Sequence, residues 1–315
     1  MTSHATGPQA FVDAVQHVVF GPVSVFQNLS VVPLLSHSER EADYLTLDEA
    51  IAGGWAEITE VSDAGQVSEL KVVVKGDKAV LLVDGEELVG AKQNRVLNLT
   101  ILVPAPSTTP IPVSCVESGR WRHRSRAFES SPRAHFAEGR AARVQQVTSS
   151  LLRAGDRRSD QNEVWSRIAA KSARLDASSD TAAMSAVFDK VGGSLDGFVA
   201  AFQPVEHQVG AVFVINGQPV GLELFDAAST WRKLSPKLVR SYAMDALDHA
   251  RKAPGPLASP DLPNQFAGAV ASSPTAAFRA AGEGEDVRLT GAAIAGAALV
   301  ARGRAVHISA FPQRG

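Results

Sequence analysis

The sequence has one cysteine, Cys115, in 315 residues. That excludes an internal disulfide framework and a cysteine-rich zinc site, which need several thiols. There is no excess of charge of either sign: 31 Lys and Arg face 33 Asp and Glu, for a net charge of −2 and a pI near 6.5. A surface coated in basic residues for nucleic acid is therefore not expected. No apolar run reaches the ~18 residues of a membrane-spanning helix. The N-terminal stretch lacks the basic opening of a secretory signal. Its first Lys or Arg is Arg40, and Gln16 and His17 interrupt the apolar residues after Phe11. The expected compartment is the cytoplasm, in keeping with a lone cysteine. Also absent are a Gly-x-x-x-x-Gly-Lys-[Ser/Thr] phosphate loop, a Gly-x-Gly-x-x-Gly fingerprint, a His-Glu-x-x-His zinc helix and a Gly-x-Ser-x-Gly elbow. The eight histidines are scattered without ligand spacing, so no metal is expected, and nothing names a cofactor.

What is present is a β-rich pattern with 45% hydrophobic residues, enough for a sizeable core. Residues 1–17 read as a mobile tail or a short helix. From 18 to 35 the pattern is β-like, with Gly21-Pro22 and Gln27-Asn28 as punctuation. Thr46-Leu-Asp-Glu49 is a capping box that opens a short helix ending at Gly53-Gly54. Strands rich in Val, Ile and Leu follow at 56–61, 68–74, 79–83, 96–103 and 111–116. Residues 120–174 hold 13 Lys and Arg against 5 Asp and Glu, a stretch expected to form a positive face or a solvated insertion. Asp160 and Glu163 form a second capping box, and a further helix spans 180–190. Asn216-Gly217 between two apolar runs is the clearest hairpin signal. Asp84-Gly85 and Arg302-Gly303 share its form. Ser235-Pro236 predicts a helix start, the prolines of 253–265 a loop, and 294–310 a closing hairpin.

This adds up to an α+β fold of short, largely antiparallel strands, in β-rich halves with inserted helices. A single domain over 18–312 is expected. Its parts are a β-rich half (18–121), a basic helical insertion (122–205) and a hairpin-plus-helix half (206–312).

One polar constellation stands out. The run from Asp84 to Asn98 packs Glu86, Glu87, Lys92, Gln93, Asn94 and Arg95 between apolar strands, with Gly85 and Gly90 for close backbone approach. Ammonium, amide and guanidinium donors in one short loop suit a phosphate or carboxylate. They also suit a solvated turn. The second piece is 111–121. If 111–117 is a strand, Val113, Cys115 and Glu117 share one face, and Glu117, Arg120 and Trp121 reach one rim. There Trp121 suits stacking, Arg120 a phosphate, and Glu117 a ribose hydroxyl or general-base chemistry. Glu117 equally suits an internal ion pair. Cys115 has no histidine beside it to activate a thiolate and reads as a small buried residue. The loop 90–98 and the end of 111–117 are expected to meet at one cleft.

At Glu87-Leu-Val-Gly-Ala-Lys-Gln-Asn-Arg95 and Ile111-Pro-Val-Ser-Cys-Val-Glu-Ser-Gly-Arg-Trp121 the chain resembles the ADP-ribosylglycohydrolase- and rhodanese-phosphatase-associated protein family. The resemblance continues through Trp165, the Asn216 hairpin and Val306–Phe311. It implies a cytoplasmic domain working beside enzymes of ADP-ribose metabolism and carries over no catalytic residues. The leading expectation is an accessory protein that binds an ADP-ribose-like or nucleotide phosphate ligand. Lys92, Gln93, Asn94 and Arg95 would hold the anion; Glu117, Arg120 and Trp121 would hold the sugar or base. Two alternatives stand beside it. One is a hydrolase of such a ligand with Glu117 or Glu87 as general base. The other is a protein-interaction scaffold without a small-molecule site.

Overall fold

The structure, a computed structural model, describes residues 6–62, 67–119, 125–250 and 259–313. The chain divides into two compact units where the sequence suggested one domain. One unit takes the chain up to Ala42, Gly197–Ala280 and the chain from Gly284; the other takes Asp43–Asp196 and Ala281–Glu283. The first unit opens with helix α1 (Gly7–Gln16) and strands β1 (Val19–Phe20), β2 (Ser24–Phe26) and β3 (Leu29–Leu35). Residues 7–16 are therefore not a mobile tail. Phe11 is fully buried, with Ala10 and Val15 beside it on one helical face. Burying such a phenylalanine contributes about 1.5–3 kcal/mol.

The second unit is built on a barrel. After β4 (Tyr44–Thr46), helix α2 (Leu47–Ala52) starts at the expected capping box, in which Thr46 and Glu49 bond each other's backbone N–H. There follow β5 (Ala56–Glu60), β6 (Glu69–Val74), β7 (Ala79–Leu82), β8 (Glu86–Gly90), β9 (Arg95–Leu97), β10 (Ile101–Val103), β11 (Ser107–Cys115) and β12 (Ala127–Ala134). Six of them close a barrel in the order β11, β6, β5, β12, β8, β9. β10, β7 and β4 form a separate small sheet, with β4 parallel to β7. Ile58, Leu70, Val72, Leu88, Leu97, Ile111, Val113 and Phe128 belong to one apolar core, alternating with outward residues along each strand.

Three helices complete this unit: α3 (Ala137–Ala154), α4 (Gln161–Arg174) and α5 (Met184–Lys190). Asp160 caps α4 by accepting from the Asn162 and Glu163 N–H groups. The box is only half formed, because Asp160 N–H donates to Gln146 instead of Glu163. The basic stretch is not simply a positive face. Arg140, Arg143 and Lys171 are buried here.

The chain returns to the first unit through α6 (Gly192–Ala201). It adds β13 (Gln208–Ile215), β14 (Gln218–Phe225), α7 (Ala228–Asp248), α8 (Leu262–Ala271), β15 (Thr275–Arg279), β16 (Glu285–Leu289), β17 (Ile294–Ala301) and β18 (Arg304–Pro312). One antiparallel sheet runs β1, β3, β13, β14, β18, β17, β16, β15, with β2 also on β3. Alternate residues face opposite ways. Val212, Leu222, Leu224 and Ile308 share a core with α1 and α8, while Phe213 and Phe225 meet Trp231 of α7. Asn216 and Gly217 have φ of 51° and 78°, and Arg302 and Gly303 of 53° and 75°, so both turns are true hairpins. The helix expected to open at Ser235-Pro236 begins at Ala228, and Pro236 lies inside it. Burial of Trp231 and Leu234 outweighs the backbone bond that proline cannot make. The loop expected to reach 265 ends earlier, since α8 starts at Leu262 with Pro263 in its first turn; residues 253–258 lie outside the described residues. Among the described residues no helix is long and apolar enough to cross a membrane.

Candidate functional site

The run 84–98 does not make one site. It is the hairpin of β8 and β9, in which Glu87 faces Val96 and Leu88 faces Arg95. At about 3.3 Å per residue, the five residues of β8 hold Asp84 and Lys92 at opposite ends of the barrel. Asp84-Gly85 is not a hairpin turn. β7 and β8 belong to different sheets, and the turn only passes the chain between them.

The mouth at the Lys92 end gathers the ends of β5, β8, β11 and β12. Lys92, Gln93, Asn94 and Arg95 are all buried there, the last completely. Arg95 Nη1 donates to Gln93 Oε1 at 3.0 Å. Arg95 lies opposite Leu88 of the core and opposite Cys115 in β11, so both Arg95 and Cys115 point into the barrel. Glu60 comes from the end of β5. Its Oε1 lies 4.0 Å from Arg95 Nη2, and neither of its buried oxygens accepts a hydrogen bond from the described residues. Burial pushes the Cys115 thiol up to about 11; Arg95 opposes that and Glu60 adds to it. Cys115 is thus a neutral thiol at physiological pH.

The two sequence pieces do meet here. β11 ends at Cys115, and Val116 N–H donates to Asn94 O at 3.1 Å. Glu117 follows as an isolated bridge to Ala183. Its Oε2 accepts the Asn94 N–H at 3.2 Å, and its Oε1 accepts the Thr181 hydroxyl at 2.9 Å. The backbone donors that could have cradled an anion are also engaged: Gly90 N–H by Asn94 Oδ1, and Ala91 N–H by Ser125 Oγ. Arg120 and Trp121 lie outside the described residues.

Glu87 sits on the outer side of the barrel and is fully buried. A bulge in β12, where Pro132 cannot donate to the ladder, turns Ser131 and Arg133 toward it. Glu87 Oε2 accepts from Ser131 at 2.8 Å and from Arg133 at 3.1 Å, while Oε1 has no hydrogen-bond partner among the described residues. Burial raises its pKa; Arg133 and Ser131 oppose the rise.

At the far end, Arg140 of α3 grips Asp84 with two bonds of 2.9 Å. Arg143 Nη1 meets His135 Nδ1 at 2.7 Å. Burial, then Arg143 and other nearby cations, hold the His135 pKa well below 6.5, so the ring is neutral and accepts from Arg143. No sequence pattern marks His135, Arg140 or Arg143, which read as members of a basic run. Nor does one mark a second buried cluster, in the first unit. Glu223 accepts the Tyr242 hydroxyl at 2.7 Å and lies 3.0 Å from His307 Nε2, joining α7 to the sheet.

These features define a two-unit α+β protein whose inserted barrel is charged at both ends. Over residues 17–311 the chain matches the ARG and Rhodanese-Phosphatase-superfamily-associated Protein domain, and it belongs to that family. The description records association with ARG and the rhodanese-phosphatase superfamily, without a ligand or a reaction. No curated protein and no solved structure matches the chain.

Proposed function

We propose that this protein is an accessory, ligand-binding component of ADP-ribose metabolism. Its site is the barrel mouth lined by Glu60, Lys92, Gln93, Asn94 and Arg95. The observation that carries the reading is Glu60: a buried carboxylate with no hydrogen-bond donor among the described residues, 4.0 Å from a buried guanidinium. Such a group is costly unless something supplies donors. Ribose hydroxyls are donors of the right kind, and Lys92 and Arg95 provide charge for the adjoining phosphates. Barrel mouths are common ligand sites. Arg120 and Trp121, next in the chain after this end of the barrel, are the proposed contacts for phosphate and base.

The test is a thermal-shift series on the full chain with ADP-ribose, NAD, nucleotides and sugar phosphates. A ligand at 100 times its Kd stabilises the native state by about 2.7 kcal/mol. ADP-ribose is expected to raise the melting point, and Glu60→Gln to weaken that response about tenfold or more. A flat response to every ligand would sink the reading.

The hydrolase alternative is favoured at Glu87 rather than Glu117, because Glu117 has both oxygens engaged. Burial raises the Glu87 pKa, and its Oε1 has no hydrogen-bond partner among the described residues, which leaves one carboxyl oxygen open to a reacting group. Product formation from ADP-ribose that disappears in Glu87→Gln would establish it.

A further inference from the structure

We propose a second site, for a small oxyanion, at the opposite end of the barrel, formed by Arg143 with His135 and Arg140. The ligand class is inorganic phosphate or the phosphoryl end of a metabolite. The site is separate from the mouth at Glu60 and does not depend on the reading given to that mouth.

The argument rests on an unbalanced buried charge. Arg143 is 1% exposed, and its Nε and Nη2 groups have no hydrogen-bond partner among the described residues. Its one bond, to His135 Nδ1, goes to a neutral ring and supplies no countercharge. The carboxylate that acts on Arg143, Asp84, already gives one oxygen to Arg140 Nε and the other to Nη2. Lys171 is also fully buried here and lies 4.6 Å over the Phe136 ring; its carboxylate, Glu138, is 3.7 Å away. Arg143 thus makes no ion pair with a carboxylate among the described residues. An uncompensated buried cation carries a desolvation cost of several kcal/mol. Proteins retain such a group where an anion completes it.

The geometry suits an oxyanion. Nε and Nη2 lie on one edge of a planar guanidinium, the fork that matches two phosphate oxygens. His135 precedes α3 and Arg143 stands on its second turn; the N-cap of this 18-residue helix, Phe136, makes no side-chain cap bond. The positive end of that helix adds to the attraction. Gly139 lets the His135 ring pack against the helix backbone, since a Cβ there would run into that ring. Burial, and then Arg140, bring the Arg143 pKa down to about 10 against the pull of Asp84, so the group still carries its charge at neutral pH.

The experiment titrates the full chain with inorganic phosphate against potassium chloride at matched ionic strength, reading melting temperature and phosphorus-31 line width. Saturable stabilisation and line broadening are expected. Arg143→Met should abolish both while leaving a melting point equal to or above the original, because it removes an unpaired buried charge. Arg143→Lys, which keeps charge but loses the fork, should weaken phosphate about tenfold. Glu60→Gln should leave the phosphate response intact. A phosphate monoester tested in parallel separates the sources: equal binding marks the phosphoryl end of a larger ligand, and binding of free phosphate alone marks the ion itself. Three results would overturn the proposal: no phosphate response in the original chain, an undiminished response in Arg143→Met, or a response lost in Glu60→Gln. Should Arg143→Met fail to fold, Arg143→Lys and direct binding to the original chain decide the question.

Discussion

Single residues in this protein are read by what their last polar atom touches. Glu117 is fixed by Asn94 and Thr181, so its first duty is to tie the 91–95 turn to the segment before α5. Glu117→Gln cannot accept with both terminal atoms. It should cost about 1–3 kcal/mol, seen as a lower melting point in the absence of any ligand. His135 gives a pH test. Its folded-state pKa lies well below 6.5 because burial and neighbouring cations disfavour the charged ring. Below that ordinary value the unfolded chain binds a proton that the folded chain does not. Stability is then present in full above pH 6.5 and falls as the pH drops, by about 1.4 kcal/mol per pH unit until the folded value is reached. Denaturant titrations at pH 7 and pH 5.5 should show this loss, and His135→Gln, which keeps an acceptor for Arg143, should lessen it. Cys115, with its thiol near 11, should react slowly with thiol reagents until the chain is unfolded. At this scale the sequence was partly legible. It named Lys92 to Arg95 and Glu117 as neighbours because they are dense polar clusters beside apolar strands, and they do meet. It did not show that they are buried and bonded to one another. Nor did it single out Arg143 from Arg153, since burial of an arginine depends on partners far away in the chain.

Elements show where local chemistry suffices and where it does not. Thr46 and Asp160 were readable caps because capping is a contact between residues two or three apart. Thr46→Ala should cost about 1 kcal/mol in a melt. Asn216-Gly217 was readable because a two-residue loop with positive φ fits strand twist. Asp84-Gly85 has the same letters and a different outcome. Gly85 has φ of 84°, but the strands on either side pair with other partners, and turn chemistry alone cannot say which. Two glycines make the distinction measurable. Gly155, at the end of α3, has φ of 70° and nothing within 4 Å of a new Cβ. Gly155→Ala should cost about 1–2 kcal/mol for the left-handed backbone alone. Gly85→Ala pays that and also places a methyl 2.8 Å from Arg140 Cδ, disturbing the bidentate grip on Asp84. It should cost about 1–3 kcal/mol more. Equal losses in the two variants would show that Arg140 shifts freely.

At the scale of the whole molecule, the chain order carries a further consequence. Each unit has an apolar core of its own, one around Phe11, Leu222 and Phe266, the other around Ile58, Leu97 and Phe128. The second unit is nearly continuous in sequence, inserted between Ala42 and Gly197 of the first. The sequence did not show this, because strands 18–35 and 56–74 look alike by composition, and only pairing assigns β3 to β13. A fragment of residues 43–196 keeps the closed barrel, its core and α3 to α5, which is what independent folding requires. It loses residues 281–283, and with them the Glu283 N–H bond to Leu102 O at 2.8 Å on β10. That strand is at the edge of the small sheet, away from the barrel ladder. The fragment should therefore fold, with a sigmoidal thermal transition by circular dichroism and a midpoint only modestly below that of the unit in the full chain. Hydrogen exchange should locate the loss at 101–103 while β5, β6 and β11 keep their protection. A fragment without a cooperative transition would mean that the barrel needs the first unit to fold, despite having a core of its own.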